Sequence, residues 1–315
     1  MIAVTARLAV LALVPLPDTT LDALRRDYVL HYHPDGMPAD LADAGTIRAV
    51  VTNGTCGLDD VRMARLPALE IVCAFGAGYE NVDAAAAARR GIVVTHAPGT
   101  NAATVADHAI GMLLALARGY APLTGAVQAG RWHASRAARP TLAGAALGVI
   151  GMGRIGRLVA ARAQGFDMTL GYHARGPHGD APGRYYADLV QLAADSDFLV
   201  IACHGGPATR HLVDRAVLRA LGPHGYVVNV ARGSVLDTAA LLDALDAGEL
   251  AGAGLDVLEH EPDVPAALFD HPDVLVTPHV AGRSPAAWLA QRDALLASLA
   301  QHFSRLPVEF AVRAA

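Results

Sequence analysis

The 315-residue chain has little cysteine, few aromatic side chains and no block of basic residues. Its three cysteines, Cys56, Cys73 and Cys203, are an odd number, lie far apart and each adjoin an apolar run. This pattern is typical of reduced thiols in a cytoplasmic protein and argues against a disulfide framework. The net charge of −5 argues against nucleic acid and anionic membrane surfaces as partners. The apolar, alanine-rich remainder is typical of a compact α/β enzyme.

Long apolar runs are missing as well. No apolar stretch of the sequence approaches the ~20 residues that a membrane helix needs. The first apolar run, from Leu8 to Val14, is followed by Pro15, Pro17 and Asp18 and not by a small-residue cleavage site. We therefore predict a first buried strand at 7–14 rather than a signal peptide, and a cytoplasmic protein.

Strand and helix patterns alternate along the chain, which is too long for one ordinary core. The strand patterns are continuously apolar, as in parallel strands covered on both faces. The sequence predicts an α/β fold with two parallel-sheet domains, Rossmann-like or flavodoxin-like. The predicted strands are 7–14, 29–33, 47–52, 69–74 and 92–95, then 146–150, 168–172, 198–202, 226–230, 252–257 and 274–277. The clearest helices are 20–26, 81–90, 101–118, 157–164 and 284–305.

A glycine fingerprint, Gly151-Met-Gly-Arg-Ile-Gly156, lies between a predicted strand and a predicted helix. Glycines at these positions allow a tight turn and a close approach of the backbone to a pyrophosphate, whose charge the helix N-terminus favours. The sequence therefore predicts a dinucleotide site. Its cofactor-binding residues are Gly151, Gly153, Arg154, Ile155 and Gly156.

The end of the next strand, Tyr172-His-Ala-Arg175, bears on the choice of dinucleotide. An acid at this tip would bind a ribose 2′-hydroxyl, whereas an arginine accommodates a 2′-phosphate. The tip has no acid, and a 2′-phosphate would meet Arg175 and His173, next to Ala174, with further positive charge from Arg154. We predict NADP(H) as the preferred cofactor, with NAD(H) possible. The alternative is that His173 and Arg175 are solvated loop residues.

Three later segments each place one polar side chain after a predicted strand. Arg232 lies in Asn229-Val-Ala-Arg-Gly233, Glu261 follows Gly254-Leu-Asp-Val257, and His279 lies in Thr277-Pro-His-Val-Ala281. A guanidinium can hold a carboxylate on two oxygens, an imidazole can transfer a proton near neutral pH, and a carboxylate can orient the imidazole. This set predicts the reduction of a 2-keto acid by a hydride carrier.

Several motifs occur in an order that resembles the D-isomer-specific 2-hydroxyacid dehydrogenase family over nearly the whole chain. They are Val51-Thr-Asn-Gly54, Phe75-Gly-Ala-Gly-Tyr-Glu-Asn-Val-Asp83, the glycine fingerprint, Asn229-Val-Ala-Arg-Gly233, Gly254-Leu-Asp-Val257, Glu261-Pro262 and Pro278-His279. The end of strand 168–172 is similar to the NADP-using glyoxylate/hydroxypyruvate reductase branch. The resemblance implies a substrate domain of 1–98 plus 283–315, a dinucleotide domain of 99–282, a cleft between them, and a homodimer through the dinucleotide domain.

The resemblance also implies residue roles. Arg232 would bind the substrate carboxylate and carbonyl, His279 would be the acid/base and Glu261 its partner, with D specificity where the product is chiral. Backbone N–H groups of Gly76, Ala77 and Gly78 would contact the substrate carboxylate, and Asn53 would border the substrate. The residues that would line the cofactor, besides those named above, are Cys203, His204, Thr209, Val230, Ala231, Arg232, Asp256, His279 and Ala281.

Some residues leave alternatives open. Glu259 competes with Glu261, although the Glu-Pro match favours Glu261. Trp132 is either a packing anchor or part of a neighbouring subunit's substrate pocket, and Arg283 either touches an anionic substrate or points to water. His31 and His33 lack a third ligand, so no metal site is predicted.

The apolar residues of the helix 101–118 fit a core helix, but the resemblance implies that the helix is a dimer contact; these residues are Ile110, Met112, Leu113, Leu114 and Leu116. The chain also departs from the family pattern at Ala202-Cys-His-Gly-Gly-Pro207 and Gly282-Arg-Ser-Pro285.

The motifs predict NAD(P)H-dependent reduction of a small 2-keto acid, and the resemblance implies that the substrates are glyoxylate and hydroxypyruvate. Two alternatives remain. One is a reductase of a bulkier keto acid such as hydroxyphenylpyruvate, and the other is a non-catalytic, cofactor-sensing binding protein of the same fold.

Overall fold

The computed structural model describes residues 7–312. Its strands, in chain order, are β1 (Ala9–Ala12), β2 (Val29–Tyr32), β3 (Ile47–Thr52), β4 (Ile71–Ala74), β5 (Val93–Thr95), β6 (Ala146–Ile150), β7 (Thr169–His173), β8 (Arg184–Tyr185), β9 (Phe198–Ile201), β10 (Tyr226–Asn229), β11 (Gly252–Leu255) and β12 (Val274–Val276). Its helices are α1 (Asp18–Asp27), α2 (Asp60–Ala64), α3 (Ala84–Arg89), α4 (Ala102–Arg118), α5 (Tyr120–Gln128), α6 (Arg154–Gln164), α7 (Leu189–Ala194), α8 (Arg215–Leu221), α9 (Thr238–Asp246), α10 (Ala266–Asp270) and α11 (Pro285–Phe303).

The chain divides into two compact units. Unit 1 comprises Met1–Asn101 and Arg283–Ala315, and unit 2 comprises Ala102–Gly282. Residues 1–6 and 313–315 of the predicted substrate domain lie outside the described residues.

Unit 1 is built on a five-stranded parallel sheet in the order β2-β1-β3-β4-β5. This is the flavodoxin-like order. One face of the sheet packs against α3 and its neighbouring loops through side chains such as Val50 and Ala86. The other face packs against α1 and α11, with Leu24 and Leu299 both fully buried. The prediction of parallel strands covered on both faces is confirmed for this sheet.

Unit 2 contains a seven-stranded parallel sheet in the order β12-β11-β10-β9-β6-β7-β8. The strand order reverses at β6, so the glycine fingerprint that follows β6 lies at the switch point where doubly wound folds bind ligands. All six predicted strands are present. The seventh, β8, is a two-residue edge strand paired with β7 through Gly171 and Tyr172, and it was not predicted.

Helix α4 corresponds to the helix predicted at 101–118, whose apolar side chains could serve as core or as a dimer contact. Ile110, Met112 and Leu113 are 7%, 3% and 0% exposed and belong to the core of unit 2. Leu114 and Leu116 are partly buried against the same core. These side chains are core of unit 2, packed against their own sheet and α6, and the dimer contact implied for this helix stays a prediction.

No single helix among residues 7–312 is long and apolar enough to cross a membrane. Only α4 and α5 taken together, with a 49° bend between them, would reach that length and composition.

Candidate active site

The three side chains singled out for chemistry follow three adjacent strands of unit 2. Arg232 comes after β10, Glu261 after β11 and His279 after β12, and these strands are neighbours in the sheet. Because carboxyl ends of parallel strands meet at one edge of a sheet, the three loops converge. The fold thus places a guanidinium, a carboxylate and an imidazole along one edge.

His279 and Glu261 are in direct contact. Nδ1 of His279 lies 2.7 Å from Oε2 of Glu261, and Oε1 of Glu261 accepts a hydrogen bond from the backbone N–H of Leu258 at 2.9 Å. Since an ionised carboxylate only accepts, Nδ1 carries a proton and donates it to this bond. That leaves Nε2 as the reactive nitrogen of a ring that is 39% exposed.

The ionised form of Glu261 is favoured. Burial, the largest single influence, opposes ionisation. The hydrogen bonds from His279 and Leu258, together with the positive charges of His279 and Arg232, outweigh burial and lower the pKa of Glu261 below 4.5. The carboxylate therefore stays charged near neutral pH and can stabilise an imidazolium at His279.

Glu259, the competing carboxylate, has a different partner. Its Oε1 lies 2.7 Å from Nε2 of His211, and its Oε2 accepts from the backbone N–H of Thr238 at 3.2 Å. Burial opposes its ionisation, but these hydrogen bonds prevail and lower the pKa of Glu259. Glu259 thus joins the β11–α10 connection to α9, whereas Glu261 is the carboxylate that contacts His279.

A buried carboxylate holds the backbone on both sides of His279. Asp256 is 2% exposed and accepts hydrogen bonds from the Thr277 hydroxyl at 2.6 Å and from the N–H groups of Val280 and Ala281, each at 2.9 Å. His279 itself has φ of 51°, in the left-handed region, which an L-residue adopts at a cost unless its surroundings fix it.

Asp256 was predicted as a cofactor contact, and its role in holding the chain around His279 was not predicted. His108 of α4 extends the arrangement, with Nε2 3.1 Å from the Thr277 hydroxyl. Nothing in the sequence predicted that His108 contacts this part of the site.

Two glycines make room for Arg232 and its loop. A Cβ on Gly205 would lie 2.5 Å from Cγ and 2.9 Å from Cβ of Arg232, and a Cβ on Gly233 would overlap the backbone of Leu258. The stem of Arg232 therefore runs over Gly205, and the β10 loop packs directly on the segment that leads to Glu261. Gly205 belongs to the stretch that departs from the family pattern.

The glycine fingerprint has the shape of a phosphate cradle. Gly151 has φ of 98°, and a Cβ there would meet the backbone of Cys203 at 2.6 Å. A Cβ on Gly156 would overlap the carbonyl oxygen of Gly151, whereas the space beside Gly153 is open. No side chain caps α6 at Gly153, so the first N–H groups of the helix are available to an anion. These residues fit a dinucleotide pyrophosphate.

The arginine that follows β7 and the one that begins α6 are exposed, as a 2′-phosphate site requires. Arg154 and Arg175 are both exposed, and within residues 7–312 neither forms an ion pair. Nδ1 of His173 lies 3.0 Å from the carbonyl oxygen of Tyr186. Because a carbonyl only accepts, Nδ1 holds the proton, and Nε2 would donate to a phosphate only after a second protonation.

The other predicted cofactor residues of unit 2 lie at the ends of β9, β10 and β12. Burial raises the pKa of the Cys203 thiol to about 11, so this cysteine stays protonated. Thr209 donates from its hydroxyl to the carbonyl oxygen of His204 at 2.8 Å, which closes the loop after β9. Three further predicted residues pack in the core. They are Val230, Ala231 and Ala281, which are 6%, 5% and 3% exposed.

The predicted substrate residues of unit 1 come together at the carboxyl ends of β3 and β4. Asn53 Oδ1 accepts from the N–H groups of Thr55 and Cys56 at 3.0 and 2.7 Å, which folds the loop into a tight turn. A Cβ on Gly54 would lie 2.8 Å from the carbonyl carbon of Gly78. The 53–54 turn and the 76–78 turn are therefore in contact, with Gly76 at φ of 128°.

The structure also places the residues for which the sequence left alternative roles. Trp132 is 59% exposed, so its interpretation as a packing anchor within this chain is wrong. Arg283 is also exposed. His31 lies 3.8 Å from Asp43, and no group of three or more potential metal ligands occurs among residues 7–312.

Comparison with known proteins agrees with this geometry. Residues 110–281 match the model of the D-isomer specific 2-hydroxyacid dehydrogenase NAD-binding domain. Hydroxyphenylpyruvate reductase of Plectranthus scutellarioides is 40% identical over 266 residues, which is 84% of this chain and 85% of that protein. Glyoxylate/hydroxypyruvate reductase A of Arabidopsis thaliana is 40% identical over 260 residues, 82% of this chain and 83% of that protein.

A solved structure is also similar over nearly the whole chain. The NADPH-dependent glyoxylate/hydroxypyruvate reductase of Sinorhizobium meliloti, in complex with NADP and malonate, is 36% identical with a TM-score of 0.89, over 98% of this chain and all of that one. The fold and the strand-end residues define an oxidoreductase with a nicotinamide-dinucleotide domain. The chain belongs to the D-isomer-specific 2-hydroxyacid dehydrogenase family.

Proposed function

We propose that the protein reduces glyoxylate and hydroxypyruvate to the corresponding 2-hydroxy acids with NADPH, giving the D product where it is chiral. The observation that carries the proposal is the 2.7 Å contact between His279 and Glu261 on the strand ends beside Arg232. A proton donor backed by a carboxylate, next to a guanidinium, is the set of groups that carbonyl reduction of a keto acid needs.

The side chains of unit 2 have separate tasks. Arg232 holds the substrate carboxylate and offsets the negative charge that develops on the carbonyl oxygen. His279 donates the proton on Nε2 to that oxygen while Glu261, bonded at Nδ1, stabilises the ring during the transfer. Bound NADPH would supply the hydride.

NADPH is the proposed cofactor of choice because the end of β7 carries positive charge and no carboxylate. Arg175 and Arg154 are exposed and form no ion pair within the described chain, so both are available to a 2′-phosphate. The S. meliloti relative was solved with NADP, which supports the same choice. NADH remains a usable but weaker substrate in this proposal.

A second candidate substrate is a bulkier keto acid. The Plectranthus relative, at 40% identity, is a hydroxyphenylpyruvate reductase, equal in identity to the Arabidopsis glyoxylate/hydroxypyruvate reductase. The deciding experiment measures kcat/KM with NADPH for glyoxylate, hydroxypyruvate and hydroxyphenylpyruvate. The highest value for hydroxyphenylpyruvate would replace the proposal by the second candidate. Tight binding of NADPH without turnover of any keto acid would indicate a non-catalytic binding protein.

We also propose that the protein is a cytoplasmic homodimer formed through unit 2. Tyr120, Val127 and Trp132 are 56%, 48% and 59% exposed and lie on or just after α5. Exposed apolar side chains grouped in this way favour a protein contact. The three cysteines are free, as suits a reducing compartment. Light scattering coupled to size-exclusion chromatography would give the mass of a dimer, and Trp132→Ser would shift it toward that of a monomer.

A further inference from the structure

The β7–β8 loop, residues 174–183, carries Arg175 and includes three glycines and two prolines. Glycine-rich backbone has many accessible conformations, so this loop needs outside contacts to hold one of them. Two side chains that precede the loop, Tyr172 in β7 and Arg157 in α6, supply such contacts.

Tyr172 reaches the loop from inside the core. Its side chain is 2% exposed and packs with Val159 and Ala163 of α6. Its hydroxyl accepts a hydrogen bond from the N–H of His178 at 2.9 Å and donates one to the His178 carbonyl oxygen at 3.3 Å. The buried phenol of Tyr172 thus hydrogen-bonds to both backbone groups of His178, which lies three positions beyond Arg175.

Arg157 holds the loop from the surface. Its Nη2 lies 2.9 Å from Oδ1 of Asp180, a side chain that is 81% exposed, and its Nη1 donates a long, exposed hydrogen bond to the Asp180 carbonyl oxygen at 3.4 Å. An ion pair that exposed contributes little, whereas a hydrogen bond at the edge of the core is costly to remove. Of the two contacts, the one from Tyr172 therefore dominates the conformation of the β7–β8 loop.

We propose that Tyr172 is a positioning residue for cofactor choice, because it fixes the loop from which Arg175 meets the 2′-phosphate of NADPH. The inference rests on the proposed role of Arg175. That side chain is exposed and forms no hydrogen bond or ion pair within residues 7–312, so its placement depends on its backbone. A loop that is already ordered loses less entropy when it binds. NADH lacks the 2′-phosphate and gains less from this order.

The test uses Tyr172→Phe in the full enzyme, a change that keeps the ring and removes the hydroxyl. The ratio of kcat/KM for NADPH to that for NADH should fall about 3- to 10-fold, as for the loss of a hydrogen bond. The fall should come from a higher KM for NADPH with little change in kcat. Tyr226→Phe is the matched control, since Tyr226 stacks on Phe198 in the same sheet and lies far along the sheet from β7. It should keep the wild-type ratio.

A double variant separates positioning from a general loss of structure. If Tyr172 acts through Arg175, Tyr172→Phe should cause no further fall in the ratio when Arg175 is already alanine. An unchanged ratio in Tyr172→Phe, an equal loss for both cofactors, or an undiminished fall in the Arg175→Ala background would overturn the inference. Arg175→Ala with the wild-type ratio would overturn the role of Arg175 and the inference with it, so the two failures are distinguishable.

The wild-type enzyme offers a second test that needs no variant. The amide hydrogen of His178 should exchange slowly with solvent before any cofactor is added, because the Tyr172 hydroxyl protects it. Exchange as fast as that of a free loop would overturn the inference.

Discussion

Glu259 Oε1 lies 2.7 Å from Nε2 of His211, and Glu261, two residues further on, has the equivalent contact with His279. The loop after β11 therefore carries two carboxylates with two histidine partners. One pair joins the loop to the rest of unit 2, and the other supports the proposed proton donor. The two carboxylates can be tested separately.

Glu261→Gln should lower kcat by about 10-fold or more, because the variant loses the negative charge that stabilises the imidazolium. Reduction needs a protonated His279, so its rate should also begin to fall at a lower pH than in wild type. The pH profile of kcat checks this. Glu259→Gln, the matched control, should leave the shape of that profile unchanged. A profile that moves with Glu259→Gln alone would reverse the assignment.

His279→Asn should lower kcat by about 100-fold or more, the effect of losing a general acid. The affinity for NADPH, measured by fluorescence titration, should persist because the glycine fingerprint is untouched. His260→Asn is a suitable control, since His260 is an exposed residue of the neighbouring loop. Near-normal turnover in His279→Asn would remove this residue from the chemistry.

Arg232→Lys keeps a positive charge but loses the planar pair of donors. We expect kcat/KM to drop by about 100-fold for every keto acid, with little change in the Kd for NADPH. Arg219→Lys, a substitution at an exposed position of α8, should show neither effect. A mild loss in Arg232→Lys would mean that charge suffices and that a bidentate grip is not used.

Gly205→Ala should act on the substrate through Arg232. The new methyl group would lie 2.5 Å from Cγ of Arg232, which forces the stem of the arginine to move. A misplaced binding group of this kind lowers kcat/KM for glyoxylate by about 10-fold or more. Gly45→Ala is the control because a Cβ there meets nothing within 4 Å. Wild-type kinetics in Gly205→Ala would show that Arg232 does not need this space.

Glu259 should also make stability depend on pH. Its pKa in the folded protein is lowered from 4.5, so its contribution is complete above pH 4.5 and is lost as pH falls through the lowered value. At pH 7, Glu259→Gln should lower the free energy of unfolding by about 1–3 kcal/mol. In urea titrations that difference should shrink below pH 4.5. A difference that is constant with pH would mean that the charge of Glu259 does not contribute.

Much of this fold follows from local sequence patterns. The continuous apolar runs predicted both sheets, because buried parallel strands need apolar side chains on both faces. The two-residue strand β8 escaped prediction since Arg184 and Tyr185 have neither the length nor the apolarity of such a run. Helix caps such as Asp83 of α3, which accepts from Ala86 N–H, agree with local rules.

The candidate site, like the fold, was predictable only where local sequence patterns determine it. The motifs placed Arg232, Glu261 and His279 on strand ends, because their neighbours in sequence form those strands. The partners that hold them were not predictable in this way. His108 and Thr277 are 169 positions apart, and Gly205 meets Arg232 only through the packing of two loops. Contacts of this kind depend on the arrangement of the strands and leave no periodic signal in the chain.

His279, Glu261, Arg232 and the Asp256 carboxylate all belong to unit 2. The hydrogen bond between His279 and Glu261 therefore lies within one compact unit. The glycine fingerprint lies in the same unit, so the proposed cofactor site and the proposed proton donor are held by one scaffold before any keto acid binds.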